Sequence, residues 1–175
     1  ILLIVTNKSV RDIVLENVGG ITMLTIDSRE KSMLCNLVME EAKKLHIKYE
    51  QKWIEIGDYV YDDVCFEAKS VVDFIGSVMS KRLWTQLDNM DRCYQTNVVI
   101  IHGDLNEGIL QIIENSKSNM PVKSRVLMLN NKFLGAMGRI ILDTDIKPVW
   151  VKSEEEAAKI ITGVSKIKPI KRDVI

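Results

Sequence analysis

Ile56-Gly57-Asp58-Tyr59-Val60 and, a few residues on, Val64-Cys65-Phe66-Glu67-Ala68-Lys69 decide how this chain is read. Val64–Lys69 has the apolar, β-branched character of a short strand, and Gly57–Asp63 reads as the turn of a hairpin whose other arm would be Lys48–Ile56. Residues two apart on a strand share a face. Glu67 and Lys69 therefore point together while Ala68 points away, and Asp58, at the end of the neighbouring strand, falls near Glu67. The resulting pattern is Gly-Asp, eight residues, then Glu-x-Lys. Two carboxylates can hold a divalent cation, and a lysine beside them can steer a water molecule towards a phosphodiester. By itself a Glu-x-Lys on a strand is also the pattern of an ordinary solvated ion pair, so the surrounding sequence must choose between the two.

Working outward, the elements alternate. Ile1–Thr6 and Ile21–Ile26 read as buried strands bounded by Asn7-Lys8-Ser9 and Gly19-Gly20. Apolar residues Leu34, Leu37, Val38 and Leu45 fall at helical spacing over Lys31–Leu45. Lys48–Ile56 alternates as a half-exposed strand with Trp53 on one face. Two helices are expected over Ser70–Met79 and Arg82–Tyr94, the second with Leu83, Leu87, Met90 and Tyr94 on one side. Val98–Ile101 is a wholly apolar strand, Leu105–Glu114 a helix, Asn115–Lys123 a polar loop, and Ser124–Leu142 a long helix. A strand at Pro148–Val151 precedes a last helix capped by Ser153, with Glu154, Glu155 and Glu156 in its first turn. The expected fold is α/β: a three-layer arrangement with a mixed central β-sheet flanked by helices.

Composition narrows the partners. The chain has 175 residues, which suits one domain over residues 1–168 with a basic tail at 169–175. That tail belongs to a cluster of Lys166, Lys168, Lys171 and Arg172 around Pro169, read as a solvated linker or a contact to DNA phosphate. Lysine plus arginine and aspartate plus glutamate number 24 each, so no global positive field coats nucleic acid indiscriminately. Cys35, Cys65 and Cys93 lack metal-ligand spacing and sit among apolar neighbours, so buried free thiols in a reducing interior are expected. No apolar run approaches membrane-spanning length and no signal-peptide pattern is present, so no membrane partner is expected. An intracellular place follows, in a prokaryotic or virus-infected cytoplasm or a nucleus. The chain begins at Ile1, and its ends are not taken as natural termini.

A third carboxylate, Asp27, closes the strand Ile21–Ile26, and oxygen ligands of this number favour Mg²⁺ or Mn²⁺ over zinc. Gly19-Gly20 and Gly135-x-x-Gly138 lack the setting of a phosphate loop, and two histidines do not make a hydrolase triad. His46 reads as a solvated helix end, and His102 as a residue at the rim of the site without a catalytic role.

The blocks Ile26-Asp27-Ser28-Arg29-Glu30, Ile56-Gly57-Asp58-Tyr59-Val60 and Phe66-Glu67-Ala68-Lys69-Ser70-Val71-Val72-Asp73-Phe74-Ile75-Gly76-Ser77 resemble the XPF-type structure-specific endonucleases. The likeness continues through Arg82-Leu83-Trp84-Thr85-Gln86-Leu87 and Arg92-Cys93-Tyr94 to Lys147-Pro148-Val149-Trp150 and Glu155-Glu156-Ala157-Ala158, covering about residues 21 to 165. It implies a restriction-endonuclease-like fold and Mg²⁺-dependent (or Mn²⁺-dependent) cutting of flaps, forks and other branched DNA in repair, recombination or replication. Position by position, it implies metal roles for Asp58 and Glu67 with Asp27 close by, and a role for Lys69 at the water and scissile phosphate. It also implies that Arg29 and Glu30 complete the acidic pocket, Arg29 touching phosphate, and that Arg82 and Gln86 lie on the DNA side. Asp73, Arg82 and Gln86 are equally placed for helix capping, packing and ion pairing.

Two departures stand out. Ala68 occupies a position where the family carries arginine, which puts in doubt whatever that arginine supports but not the metal site. His102 stands where relatives carry glutamate. Pairing as a homodimer or heterodimer is implied by the family and by the apolar residues Leu134, Met137 and Ile141. The alternatives are a catalytically silent DNA-binding scaffold subunit of the same fold, or a resolvase or single-strand nuclease of a virus or mobile element.

Overall fold

Alternation along a few extended segments decides the architecture, which a computed structural model describes for residues 23–166. The chain runs through β1 (Leu24–Asp27), α1 (Met33–Lys44), β2 (Tyr49–Lys52), β3 (Tyr59–Tyr61), β4 (Val64–Ser70), α2 (Val71–Met79), α3 (Arg82–Cys93) and β5 (Thr96–His102). It continues through α4 (Leu105–Glu114), α5 (Val122–Asp143), β6 (Lys147–Val151), α6 (Glu154–Gly163) and a short 3₁₀ turn. The expected strand Ile1–Thr6, the Gly19-Gly20 boundary and the tail beyond Lys166 lie outside the described residues.

The strands form one six-stranded mixed sheet in the order β2-β1-β3-β4-β5-β6. β1 pairs parallel with β2 and antiparallel with β3, β3 and β4 form an antiparallel hairpin, and β4, β5 and β6 are parallel. Helices cover both faces, as a parallel sheet requires. On one face Leu24, Ile26, Tyr59, Tyr61, Phe66, Val98 and Ile100 pack against α1 and α6 through residues such as Val38 and Ile161. On the other, Cys65, Val99 and Ile101 pack against α2 to α5 through Phe74, Leu83, Leu87, Met90, Ile109 and Phe133. The expected three-layer α/β fold is the observed one.

The hairpin differs from expectation in a way that matters for the site. Lys48–Ile56 is not the partner of β4. Only Tyr49–Lys52 is strand, and it lies at the sheet edge beside β1. The partner of β4 is β3, three residues inside the stretch read as a turn, and the reversal is reduced to Asp62-Asp63, with Asp62 at φ +46°. Tyr59 and Tyr61 are the reason: both are fully buried against α1 and α6, and that burial outweighs the turn character of the neighbouring aspartates. Trp53 is correspondingly not on a buried strand face but 59% exposed, because Ile54 takes the inward position.

Local chemistry sets where helices start. Ser32, Ser70, Asp104 and Ser153 cap α1, α2, α4 and α6 through side-chain oxygens that accept backbone N–H bonds. Cys35 and Cys65 are buried thiols as expected. Cys93 is exposed, because the last turn of α3 rotates it off the Leu83, Leu87 and Met90 stripe.

Candidate active site

β4 runs directly into α2, so Glu67 and Lys69 sit at the carboxyl end of a sheet strand, where open α/β sheets place their ligands. Period-two alternation puts both on the Cys65 side of the sheet, towards α2 and α3, while Ala68 packs against the opposite core. Both side chains are 7% exposed, and Lys69 Nζ donates to Glu67 Oε1 at 2.8 Å. A buried ion pair is weak evidence for stability, because desolvation of both charges offsets their attraction. Its presence at a strand end therefore points to function. Gln86 Nε2 on α3 donates to the same Oε1 at 2.8 Å. Both donors thus engage one oxygen of Glu67.

Asp58 arrives from the β3 side. Its backbone N–H donates to the Phe66 carbonyl at 2.9 Å, continuing the hairpin ladder by one residue and placing Asp58 opposite Glu67. Its Oδ2 accepts from the Ala68 amide at 2.8 Å. Gly57 makes this approach possible: it has φ +92°, and a methyl group here would overlap the Cys65 sulfur. The Asp58 carboxyl is pushed up to about 8, first by burial and then by the Glu67 charge, with Glu30 adding to the rise and the Ala68 amide and Lys69 opposing it. Glu30 itself accepts from the Ser32 amide at 2.8 Å. Three carboxylates set against one ammonium leave surplus negative charge, which a cation would relieve.

Asp27 stands apart from this cluster. Its backbone N–H donates to the Asp58 carbonyl at 2.9 Å, so the two residues are neighbours in the sheet. Its carboxylate, however, is grasped by Arg29: Nε lies 3.1 Å from Oδ1 and 2.9 Å from Oδ2, and Nη2 lies 2.6 Å from Oδ2. Burial alone would raise the Asp27 carboxyl, but the Arg29 hydrogen bonds and charge outweigh it and hold the group below its usual range. Among the described residues no three His, Cys, Asp or Glu side chains form a group able to hold a metal ion. In this arrangement the Asp27 carboxylate is paired with Arg29, although its backbone neighbours that of Asp58. Asp58 and Glu67 remain, and two carboxylates suffice for Mg²⁺, which keeps several of its waters.

The other candidates are placed plainly. Gln86 belongs to the site through Glu67. It lies at helical spacing on the inward stripe Leu83, Gln86, Met90, and a lone polar residue on that stripe was the available signal. Arg82 is exposed, and its Nη2 donates to Ser77 Oγ at 3.1 Å. Asp73 lies in the first turn of α2 and is tied to its cap: its amide donates to Ser70 Oγ at 3.0 Å, and Ser70 Oγ donates to its carboxylate at 2.8 Å. His102 ends β5 opposite Ser70, and burial pushes its imidazole down, favouring the neutral form.

The ERCC4 domain matches residues 26–164. This chain belongs to that family. Within it, the ERCC4 domain seen here is of the XPF nuclease type. It is 27% identical over 140 residues to the 3′-flap repair endonuclease Xpf of Saccharolobus solfataricus, covering 79% of this chain and 52% of that protein. It is 28% identical over 160 residues to the DNA repair endonuclease XPF of Cricetulus griseus, covering 88% of this chain and 16% of that protein. The chain thus spans about half, or less, of these curated relatives. In structure it is similar to XPF from Aeropyrum pernix in complex with DNA, with a TM-score of 0.65 and 21% identity over 83% of this chain and 64% of that one. That likeness carries the fold, a mixed sheet between helix layers.

Proposed function

We propose that this ERCC4 domain is a Mg²⁺- or Mn²⁺-dependent endonuclease that hydrolyses phosphodiesters in DNA, and that its substrates are branched, flapped or forked. The observation that carries the reading is the buried Glu67–Lys69 pair with Asp58 opposite it, an arrangement that adds little to stability and that suits a bound cation and phosphate. Asp58 and Glu67 would hold the ion, which when bound supplies an acidified water and neutralises charge on the phosphate. Gln86 fixes the Glu67 carboxylate. Lys69 holds its ammonium beside Glu67, placed to orient the attacking water or to meet the scissile phosphate. Arg29, exposed beside Asp27, would be available to a DNA phosphate only through the guanidinium nitrogen that Asp27 and Ile54 leave free.

A second reading is favoured by particular observations: a scaffold subunit that binds DNA without cutting it. Asp27 is committed to Arg29, and alanine stands at position 68. Cleavage of a panel of flap, fork, four-way and linear DNA, with Mg²⁺ and with chelator, separates the two. Wild type is expected to cut branched members only with metal, and Glu67→Gln to bind them without cutting. Equal cutting by Glu67→Gln would defeat the assignment of the metal site to Glu67, and binding without cutting by wild type would favour the scaffold.

The partner on the protein side would be a second ERCC4 domain. Of the expected pairing residues, Met137 packs against the main core instead, while Leu134 and Ile141 are 52% and 61% exposed and, with Leu127 at 62%, recur every seven residues along α5, a seam suited to another helix. Leu134→Glu should leave a monomer in sedimentation if that seam pairs. No helix among the described residues is long and apolar enough to cross a membrane, and a place inside the cell, with its DNA, fits the proposed activity.

A further inference from the structure

Trp53 is the most exposed of the three tryptophans; Trp150 is 46% exposed, but its ring is tied down. Trp150 donates its Nε1 to the Gly103 carbonyl at 3.0 Å and packs edge-on against Phe133, and Trp84 packs against the main core with the Arg139 guanidinium over its ring at 4.5 Å. Trp53 is 59% exposed, and its ring is met by the Arg29 guanidinium, whose central carbon lies 5.6 Å from the ring centroid. That guanidinium is fixed on its other side by Asp27 and by the Ile54 carbonyl, 2.5 Å from Nη2. An indole is thereby held one side chain from Asp27, whose backbone is bonded to that of Asp58. Lys31 and Lys52 are exposed nearby, Lys52 being the register partner of Asp27, with Glu55 the exposed acid on the same loop. Acids and bases are mixed here, Glu30, Glu50 and Glu55 standing beside Lys31 and Lys52, so what distinguishes this surface is the exposed indole with a fixed guanidinium at its ring.

We propose that Trp53 is a stacking platform for an unpaired base of single-stranded DNA, with Arg29 and Lys52 meeting the adjoining phosphates. The chemistry selects the ligand. Base faces inside a duplex are covered by their neighbours, so an indole standing out from the surface reaches only a base outside the stack. The basic residues supply backbone attraction that does not depend on sequence. Arg29 occupies one aspect of the ring, and the exposed remainder offers a π face to the base. The inference rests on the DNA-cleaving reading above and deepens it: the platform gives this domain its own means of telling a single-stranded arm from a duplex.

The test reads binding rather than cleavage. In chelator, tryptophan emission of the full chain is titrated with oligothymidylate of about twelve nucleotides, a length within the usual span of such sites. A blunt duplex of the same length is titrated in parallel. Wild type should show quenching by the single strand. Trp53→Ala and Trp53→Leu should lose it and bind the oligonucleotide about 5- to 100-fold more weakly. Trp53→Phe, which keeps an aromatic face, should retain most of the affinity, and blunt-duplex affinity should be the same in all four proteins. Single-strand binding by Trp53→Leu equal to wild type, or an equal loss on duplex and single strand, would overturn the platform. Failure of wild type to cut any DNA with Mg²⁺ would sink the nuclease reading while leaving the quenching result intact.

Discussion

Asp58→Asn is expected to stabilise the metal-free protein, and to do so increasingly as the pH rises. The wild-type carboxyl is pushed from 3.8 up to about 8 by burial and then by Glu67. Between those values the native state keeps a proton that the unfolded chain releases, so wild-type stability falls as pH rises through this window. Each unit of separation corresponds to about 1.4 kcal/mol, or ~6 kcal/mol for the whole shift. Asp58 is only half-buried, so rotation of the carboxylate towards water returns part of this, leaving a difference of about 2–4 kcal/mol at pH 8. Asparagine keeps an oxygen for the Ala68 amide and carries no charge, so it escapes the penalty. Asp27 does not confuse the comparison, because its lowered carboxyl titrates below the window in both proteins. The assay is urea denaturation of both proteins in chelator from about pH 4 to pH 8. The two curves should nearly meet at the acid end and diverge with alkalinity. Added Mn²⁺ should then raise wild-type stability, by about 2.7 kcal/mol at a hundredfold excess over its dissociation constant, and leave Asp58→Asn unchanged. A stability difference independent of pH, together with equal metal stabilisation of both proteins, would refute the electrostatic account of the site.

Three further outcomes follow from the same geometry. Gln86→Ala removes one of the two donors on Glu67 Oε1 and should weaken metal affinity or cleavage about 10- to 100-fold with little change in melting temperature, read by Mn²⁺ titration and steady-state cutting. Arg29→Ala removes the guanidinium from the Asp27 carboxylate, leaving it the residue-29 amide, and should lower stability modestly near neutrality. Because the Asp27 carboxyl is held below 3.8 in the folded protein, that contribution is present above this value and lost as pH falls through the folded one; denaturation at about pH 7 and pH 3 should show the gap closing. Gly57→Ala combines a positive φ with overlap on the Cys65 sulfur and should destabilise by about 1–3 kcal/mol, seen as a lower denaturation midpoint.

Much of the architecture was legible because it depends on short-range rules. Ser153 before three glutamates announced a helix start, the apolar run Val98–Ile101 a buried strand, and the Leu83, Leu87, Met90 spacing an inward helix face. The hairpin was not legible, since Asp62 and Asp63 favour a turn while Tyr59 and Tyr61 favour a strand. The contest is decided by helices α1 and α6, distant in sequence. The site shows the same division. Strand periodicity was enough to pair Glu67 with Lys69 and to turn Ala68 away. The commitment of Asp27 to Arg29 was beyond it, because two residues in an irregular turn have no fixed period.

Alternation on β4 also explains why alanine at position 68 is compatible with an intact acidic cluster. The side chains of Glu67 and Lys69 lie over the α2 and α3 layer, and that of Ala68 over the α1 and α6 layer, so the sheet itself separates them. What reaches the site from residue 68 is its amide, which donates to Asp58, and every residue except proline supplies that amide. The backbone of position 68 therefore belongs to the acidic centre while its side chain belongs to the opposite core. A substitution there should alter packing and whatever approaches that face of the sheet before it alters the carboxylates.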